Sequence, residues 1–186
     1  SCRPSALVPG GIPGIVFTGE LSDDLRDLMW SQRIVDYVLK ENSDNIQQVL
    51  SLLKRLKNNI GKKVLVADDS TTNRRLVASL LEVWNFTVIQ VKNGVEALDV
   101  LRTEDDIIML ITDFHMPQMD GITLVREARR IHSKARLPII GLSGVGGATT
   151  SAHFIKAGAN DYMHKPFLAE ELYCRVLHNI ETTEYI

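Results

Sequence analysis

The 186-residue sequence has few cysteines, little net charge and no long apolar run, and each of these shortages excludes a class of protein. Its two cysteines, Cys2 and Cys174, lie far apart and follow neither metal-ligand nor disulfide spacing, which suits a reducing compartment. The net charge is −2 with the signs interspersed, so the chain lacks the basic stripe expected of a nucleic-acid-binding surface.

The strongest apolar run, from Ile107 to Ile111, is far too short to cross a bilayer. The sequence also shows no charged and apolar leader followed by a small-residue cleavage site. We therefore expect a cytoplasmic protein that neither enters a membrane nor binds nucleic acid. What the chain does contain, 45% hydrophobic and 24% charged residues, is typical of a globular protein with a core of its own.

From Lys62 onwards, strand and helix patterns alternate. The five predicted strands are KKVLVAD, TVIQV, DIIMLITD, LPIIGLS and NDYMH. The segments that follow them have helical periodicity, with apolar stripes such as Leu76, Val77, Leu80, Leu81 and Leu168, Leu172, Val176, Ile180. This alternation predicts right-handed crossovers and a parallel sheet with helices on both faces. Such sheets bind their ligands beyond the carboxyl ends of the strands.

Charged and hydroxyl residues end these strands. They are Asp68 and Asp69, Asp113, Ser143 and, after the last strand, Lys165. Each aspartate alone can be read as the cap of the next helix, but the predicted sheet brings all of them to one edge. Clustered carboxylates repel one another, so we predict that Mg²⁺ binds among them and that Lys165 adds further positive charge.

The motifs VLVADDS, LITDFHMPQMDG, IIGLSG and DYMHKP, in this order, closely resemble the receiver domain of two-component response regulators. The resemblance covers about residues 62–181. It implies a flavodoxin-like (βα)5 fold, a doubly wound parallel sheet with strand order 2-1-3-4-5. It also implies that Asp113 is the phosphoacceptor.

The same resemblance implies the metal ligands. Asp69 would bind Mg²⁺ directly and Asp68 mainly through water, and Asp113 would itself be a ligand. The main-chain carbonyl of His115 would complete the set, and Mn²⁺ would be able to substitute for Mg²⁺.

Four further residues match the switch of the family. Ser143 and Lys165 would bind the phosphoryl group, Tyr162 would be the aromatic switch residue, and the peptide bond before Pro166 would be cis. The phosphoryl donor would be a sensor histidine kinase or a phosphotransfer protein. Phosphorylation would change the surface of helix four, strand five and helix five, and so control an output domain or effector protein. On this interpretation the chain is not an enzyme, because any catalytic output lies outside it.

A different class also uses an aspartyl phosphate, the haloacid-dehalogenase type of phosphatase. Those enzymes need a second aspartate two residues after the nucleophile, where this chain has His115. The signalling module is therefore favoured over the hydrolase.

The segment DYVLK, from Asp36 to Lys40, reappears 125 residues later as DYMHK. The same offset aligns Thr18 with Ser143, Tyr37 with Tyr162 and Lys40 with Lys165 without a gap. We therefore interpret residues 1–57 as the second half of another receiver, strand, helix (22–32), strand, helix, in which Thr18, Tyr37 and Lys40 are degenerate counterparts without an aspartate to serve.

This interpretation gives four segments: a partial receiver at 1–57, a linker at 58–62, a complete receiver at 63–181, and the start of a connecting helix at 182–186. A half-receiver leaves a sheet edge and apolar faces uncovered, so we expect it to pack on the intact domain or to form a homodimer. Tandem receivers followed by such a helix resemble the regulatory half of diguanylate cyclases, and a hybrid histidine kinase is a second arrangement of this kind.

Overall fold

The computed structural model describes residues 14–18, 34–39, 45–144 and 147–184. The chain divides into two units, one of residues 1–60 with 83–85 and one of residues 61–82 with 86–186. The helix expected at 22–32 and the degenerate lysine Lys40 lie outside the described residues.

In the described part of the amino-terminal unit, two strands, β1 (Gly14–Thr18) and β2 (Ile34–Leu39), are followed by helix α1 (Asn45–Asn59). The two strands pair in parallel. Thr18 ends β1 and Tyr37 lies in the middle of β2. The strands and the last helix therefore follow the order expected of the second half of a receiver.

The strand register of this unit repeats that of the second unit. In the amino-terminal unit, Ile15 pairs with Asp36 and Thr18 pairs with Leu39. Adding 125 to each of these residue numbers gives two pairs of the second unit, Ile140–Asp161 and Ser143–His164. The two pairs between them, at 16–37 and 17–38, follow the same rule. Because a slip of one residue would turn every side chain to the opposite face, this agreement extends the sequence repeat to the backbone.

The second unit contains a sheet of five parallel strands. They are β3 (Lys63–Ala67), β4 (Thr87–Val91), β5 (Ile107–Asp113), β6 (Ile139–Ser143) and β7 (Asp161–His164). Their order across the sheet is β4-β3-β5-β6-β7, which is 2-1-3-4-5 when the strands are counted within this unit. The predicted flavodoxin-like topology is confirmed.

Five helices connect and follow these strands: α2 (Thr71–Val83), α3 (Gly94–Thr103), α4 (Gly121–Ile131), α5 (Gly147–Ala157) and α6 (Ala169–Glu184). Asn93 caps α3 by accepting a hydrogen bond from the backbone of Glu96, whose carboxylate accepts from the backbone of Lys92 in return. The bond from Lys92 lowers the pKa of the Glu96 carboxyl. Helix α6 continues to Glu184, beyond the expected end of the receiver.

The central strands are buried on both faces, as the apolar sequence of the third predicted strand indicated. Leu65, Leu110 and Ile139 are fully buried. Two members of the predicted apolar stripes are exposed: Leu76 is 51% exposed and Leu168 is 65% exposed. The buried face of α2 is centred on Val77 and its neighbours, and Leu168 precedes the first residue of α6 and so lies outside that helix.

Among the residues described, no helix combines the length and the apolar composition required to cross a membrane.

Candidate functional site

Three carboxylates meet at the carboxyl edge of the sheet. Asp68 and Asp69 directly follow β3, and Asp113 is the last residue of β5. Strands β3 and β5 are neighbours in the sheet, so the ends of the two strands are adjacent. One carboxylate oxygen from each aspartate lies within 4.8 Å of the other two. The cluster therefore occupies the edge where parallel sheets of this kind bind ligands.

The ammonium group of Lys165 lies within this cluster. Its Nζ atom donates to Asp68 Oδ2 at 2.6 Å and to Asp113 Oδ1 at 2.7 Å. Lys165 follows β7, and the peptide bond between Lys165 and Pro166 is cis. Hydrogen bonds between an ammonium and carboxylates are stronger than neutral ones, so Lys165 joins strands β3 and β5 to the loop after β7.

Burial and hydrogen bonding shift the pKa values of Asp68 and Lys165. Burial raises the pKa of the Asp68 carboxyl, and the hydrogen bond from Lys165 offsets part of this rise. For Lys165, burial lowers the pKa, but the hydrogen bonds to Asp113 and Asp68 outweigh it, so the net pKa is raised above 10.5. Lys165 therefore carries its charge at neutral pH. Three carboxylates facing one ammonium leave formal negative charge at the site.

Backbone amides bind the second carboxylate oxygens of Asp68 and Asp113. The amide of Ser70 donates to Asp68 Oδ1 at 2.8 Å, and the amide of His115 donates to Asp113 Oδ2 at 3.2 Å. Asp69 is exposed, whereas Asp68 and Asp113 are buried. The site is thus hydrogen-bonded to the backbone at Asp68 and Asp113 and open to solvent at Asp69.

The donor set fits a hard divalent cation. The cluster offers carboxylate oxygens, which Mg²⁺ prefers, and Mg²⁺ usually binds one or two carboxylates together with water. The His115 ring packs edge-to-face against Phe114, with ring centroids 4.5 Å apart, and His115 is exposed. A role for its main-chain carbonyl as a metal ligand stays a prediction.

The two residues expected to form the switch lie on adjacent strands. Ser143 is buried at the end of β6, and its carbonyl accepts a hydrogen bond from the amide of Lys165 at 2.8 Å. Tyr162 lies in β7, opposite Gly141 of β6. Within the described part of the chain, the Tyr162 hydroxyl is buried and has no hydrogen-bond partner.

Two features of the site were not singled out from the sequence. A Cβ atom on Gly121 would overlap the backbone of Asp113, so only glycine allows α4 to begin this close to the site. In the sequence, Gly121 is the final glycine of the motif LITDFHMPQMDG, and this position could have identified it. The second feature is Phe154 in α5, which is fully buried and packs against Tyr162. Phe154 lies in an ordinary helical pattern, and nothing in that pattern indicates that its ring packs against Tyr162.

The site and the fold together agree with comparisons to known proteins. A family model described as the response regulator receiver domain matches residues 64–177, about three-fifths of the chain. A chemotaxis protein CheY homolog of Campylobacter jejuni is 39% identical over 111 residues, which cover 59% of this chain and 85% of that protein. The chain therefore belongs to the response regulator receiver family, and it is a signalling module of the two-component type.

Solved structures extend the likeness beyond the receiver. A response regulator receiver domain protein from Clostridium thermocellum superimposes with a TM-score of 0.62 at 28% identity, covering 66% of this chain and 97% of that one. A two-component response regulator/GGDEF domain protein superimposes with a TM-score of 0.85 at 38% identity, covering 92% of this chain and 70% of that one. Because the second match covers 92% of the chain, it must include part of the amino-terminal unit as well as the receiver.

Proposed function

We propose that this chain accepts a phosphoryl group on Asp113, with a divalent cation held by Asp68, Asp69 and Asp113. The observation that carries the proposal is the position of Lys165, whose ammonium contacts Asp68 and Asp113 at 2.6 and 2.7 Å in a cluster of three carboxylates. An ordinary helix cap needs neither the lysine nor the other acids. Phosphoryl transfer needs both, because charge on the transferred group must be neutralised.

The transfer reaction forms one bond and breaks another. A carboxylate oxygen of Asp113 attacks the phosphorus of a phosphohistidine in line, and the bond from phosphorus to the imidazole nitrogen breaks. Lys165, already hydrogen-bonded to Asp113, is placed to neutralise a phosphoryl oxygen. A bound Mg²⁺ would neutralise further charge on those oxygens. The donor is a sensor histidine kinase or a phosphotransfer protein.

The product carries the signal through the strands beside the site. The acyl phosphate adds charge and acceptor oxygens at the end of β5, next to Ser143 on β6. A hydrogen bond from the Ser143 hydroxyl and one from Lys165 would favour a form in which Tyr162 is repositioned, altering the surface of α5, β7 and α6. Converting a mostly inactive population into a mostly active one requires about 5.5 kcal/mol of differential stabilisation.

Hydrolysis of a substrate phosphate is not the function that the geometry supports. Position 115, where a phosphatase of the aspartyl-phosphate type has its acid, is a histidine whose ring packs on Phe114. We assign the chain no catalysis beyond its own phosphorylation and dephosphorylation.

The length of the match to the GGDEF protein supports a second, finer proposal. That match covers 92% of this chain, and 30% of that protein lies outside it. We infer a regulator in which residues 1–57 are a degenerate half-receiver, 58–62 a linker and 63–181 the receiver, with 182–186 leading to a diguanylate cyclase domain or another effector. The half-receiver is the surface we propose for homodimer formation.

Acetyl phosphate, a small phosphoryl donor, tests the main proposal without the kinase. Incubation of the protein with acetyl phosphate and Mg²⁺ is expected to add one phosphoryl group, measured as a mass increase of the intact chain. Excess EDTA should remove the increase and Mn²⁺ should restore it, because the divalent cation neutralises the transferred group. Equal labelling with and without EDTA would contradict the proposed metal requirement, and no labelling with Mg²⁺ would contradict the proposed function.

A further inference from the structure

Three aromatic rings connect the phosphoacceptor strand to the Tyr162 position. Phe114 directly follows Asp113, and its ring lies 5.9 Å from that of Phe154 at an interplanar angle of 70°. The Phe154 ring lies 5.8 Å from that of Tyr162 at 36°. Ring centroids at these separations are in direct contact. Phe154 is therefore the packing link between the end of β5 and the switch tyrosine on β7.

A glycine makes room for the Phe154 ring. A Cβ atom on Gly141 would lie 2.5–2.7 Å from three ring atoms of Phe154, which is closer than any real contact. Gly141 is also the residue of β6 that pairs with Tyr162 on β7. The Phe154 ring therefore sits directly on the strand position beside Tyr162, and any larger residue at 141 would displace it.

Packing, and not hydrogen bonding, holds the Tyr162 ring. Its hydroxyl is buried and has no partner among the described residues. A buried hydroxyl without a partner is unfavourable, so this orientation persists only because neighbouring groups impose it. Phe154, at 0% exposure, is the aromatic neighbour in contact with the Tyr162 ring.

We propose that Phe154 is a positioning residue for Tyr162: seated on Gly141, its ring holds the Tyr162 ring in the orientation that buries the hydroxyl. This proposal depends on the proposed function in one respect, namely that Tyr162 is a switch residue. It predicts that removing or displacing the Phe154 ring releases the Tyr162 ring even when Asp113 is not phosphorylated.

The test is fluorine NMR of the unmodified protein labelled with 3-fluorotyrosine. The chain has four tyrosines, and the variant Tyr162→Phe identifies the resonance of Tyr162. Two variants act on the Phe154 ring by different routes: Phe154→Leu removes the ring, and Gly141→Ala displaces it. The matched control is Leu101→Ala, which removes another fully buried side chain from the same core cluster.

We expect Phe154→Leu and Gly141→Ala each to shift the Tyr162 resonance and to increase its solvent isotope shift between H2O and D2O. Leu101→Ala should lower Tm and leave the Tyr162 resonance in place. An unmoved resonance in both ring variants, or an equal movement in Leu101→Ala, would overturn the proposal. Since this measurement needs no phosphoryl donor, it is independent of the acetyl phosphate experiment, whose failure alone would remove the proposed function.

Discussion

Replacing Asp113 by asparagine is expected to abolish phosphoryl incorporation from acetyl phosphate. An amide cannot form the acyl phosphate, although it matches the carboxylate in shape and its oxygen can still accept from Lys165. The fold should therefore survive while the label is lost. The measurement is the intact mass after incubation with acetyl phosphate and Mg²⁺, compared with that of the wild type.

The matched control for this substitution is Asp120→Asn. Asp120 is exposed, caps α4 and lies outside the carboxylate cluster, and asparagine is as good a cap as aspartate. This variant removes the same charge seven residues away along the chain and should be labelled like the wild type. Label retained in Asp113→Asn, or lost in both variants, would refute Asp113 as the phosphoacceptor.

Replacing Lys165 by methionine is expected to lower the free energy of unfolding by about 3–5 kcal/mol in the absence of divalent cations, because it leaves two buried carboxylates without their positive partner. The side chains of Lys165, Asp68 and Asp113 are only 16%, 2% and 11% exposed. The raised pKa of Lys165 places its full stabilising effect below pH 10.5, and the effect is lost only as the pH rises through the raised value. Urea unfolding at pH 7 therefore measures the whole effect.

Lys63→Met is the control for the loss of a lysine with two acidic partners. Lys63 lies 2.7 Å from Glu104 and 2.9 Å from Asp106, but these three side chains are 30%, 42% and 59% exposed. Exposed ion pairs contribute little, so this variant should lose much less stability. Mg²⁺ should restore more stability to Lys165→Met than it adds to the wild type, because the cation replaces the missing charge. Similar losses in the two lysine variants would show that the Lys165 cluster is not a buried charge site.

The sequence was sufficient to predict the sheet and the meeting of Asp68, Asp69, Asp113 and Lys165 at one edge of it. Apolar strands alternating with helices allow few topologies, and parallel strands bring their carboxyl ends to one edge whatever the details of packing. For that reason, the sequence alone predicts that Asp68 and Asp113, 45 residues apart, are neighbours. The strand register that the two units share follows the same offset of 125 residues as the sequence repeat.

Packing between elements was not predictable in the same way. Helical periodicity gives the direction of an apolar stripe and not its width, so it includes Leu76, which the structure leaves 51% exposed. Arg129 illustrates the same limit: its guanidinium donates to the carbonyls of Leu137 and Gly158, and burial lowers its pKa to about 10. A sequence pattern makes such an arginine look like an ordinary exposed charge. The seating of Phe154 on Gly141 depends on two residues from different elements and left no local signal.

Anomalous diffraction from crystals grown with Mn²⁺ tests the central claim most directly, since Mn²⁺ is expected to replace Mg²⁺ and can be located without reference to any assumed ligand. We predict one strong anomalous peak among the carboxylate oxygens of Asp68, Asp69 and Asp113, adjacent to Lys165. A peak at another position, or no peak at a Mn²⁺ concentration that supports labelling by acetyl phosphate, would contradict the shared metal and phosphoacceptor pocket.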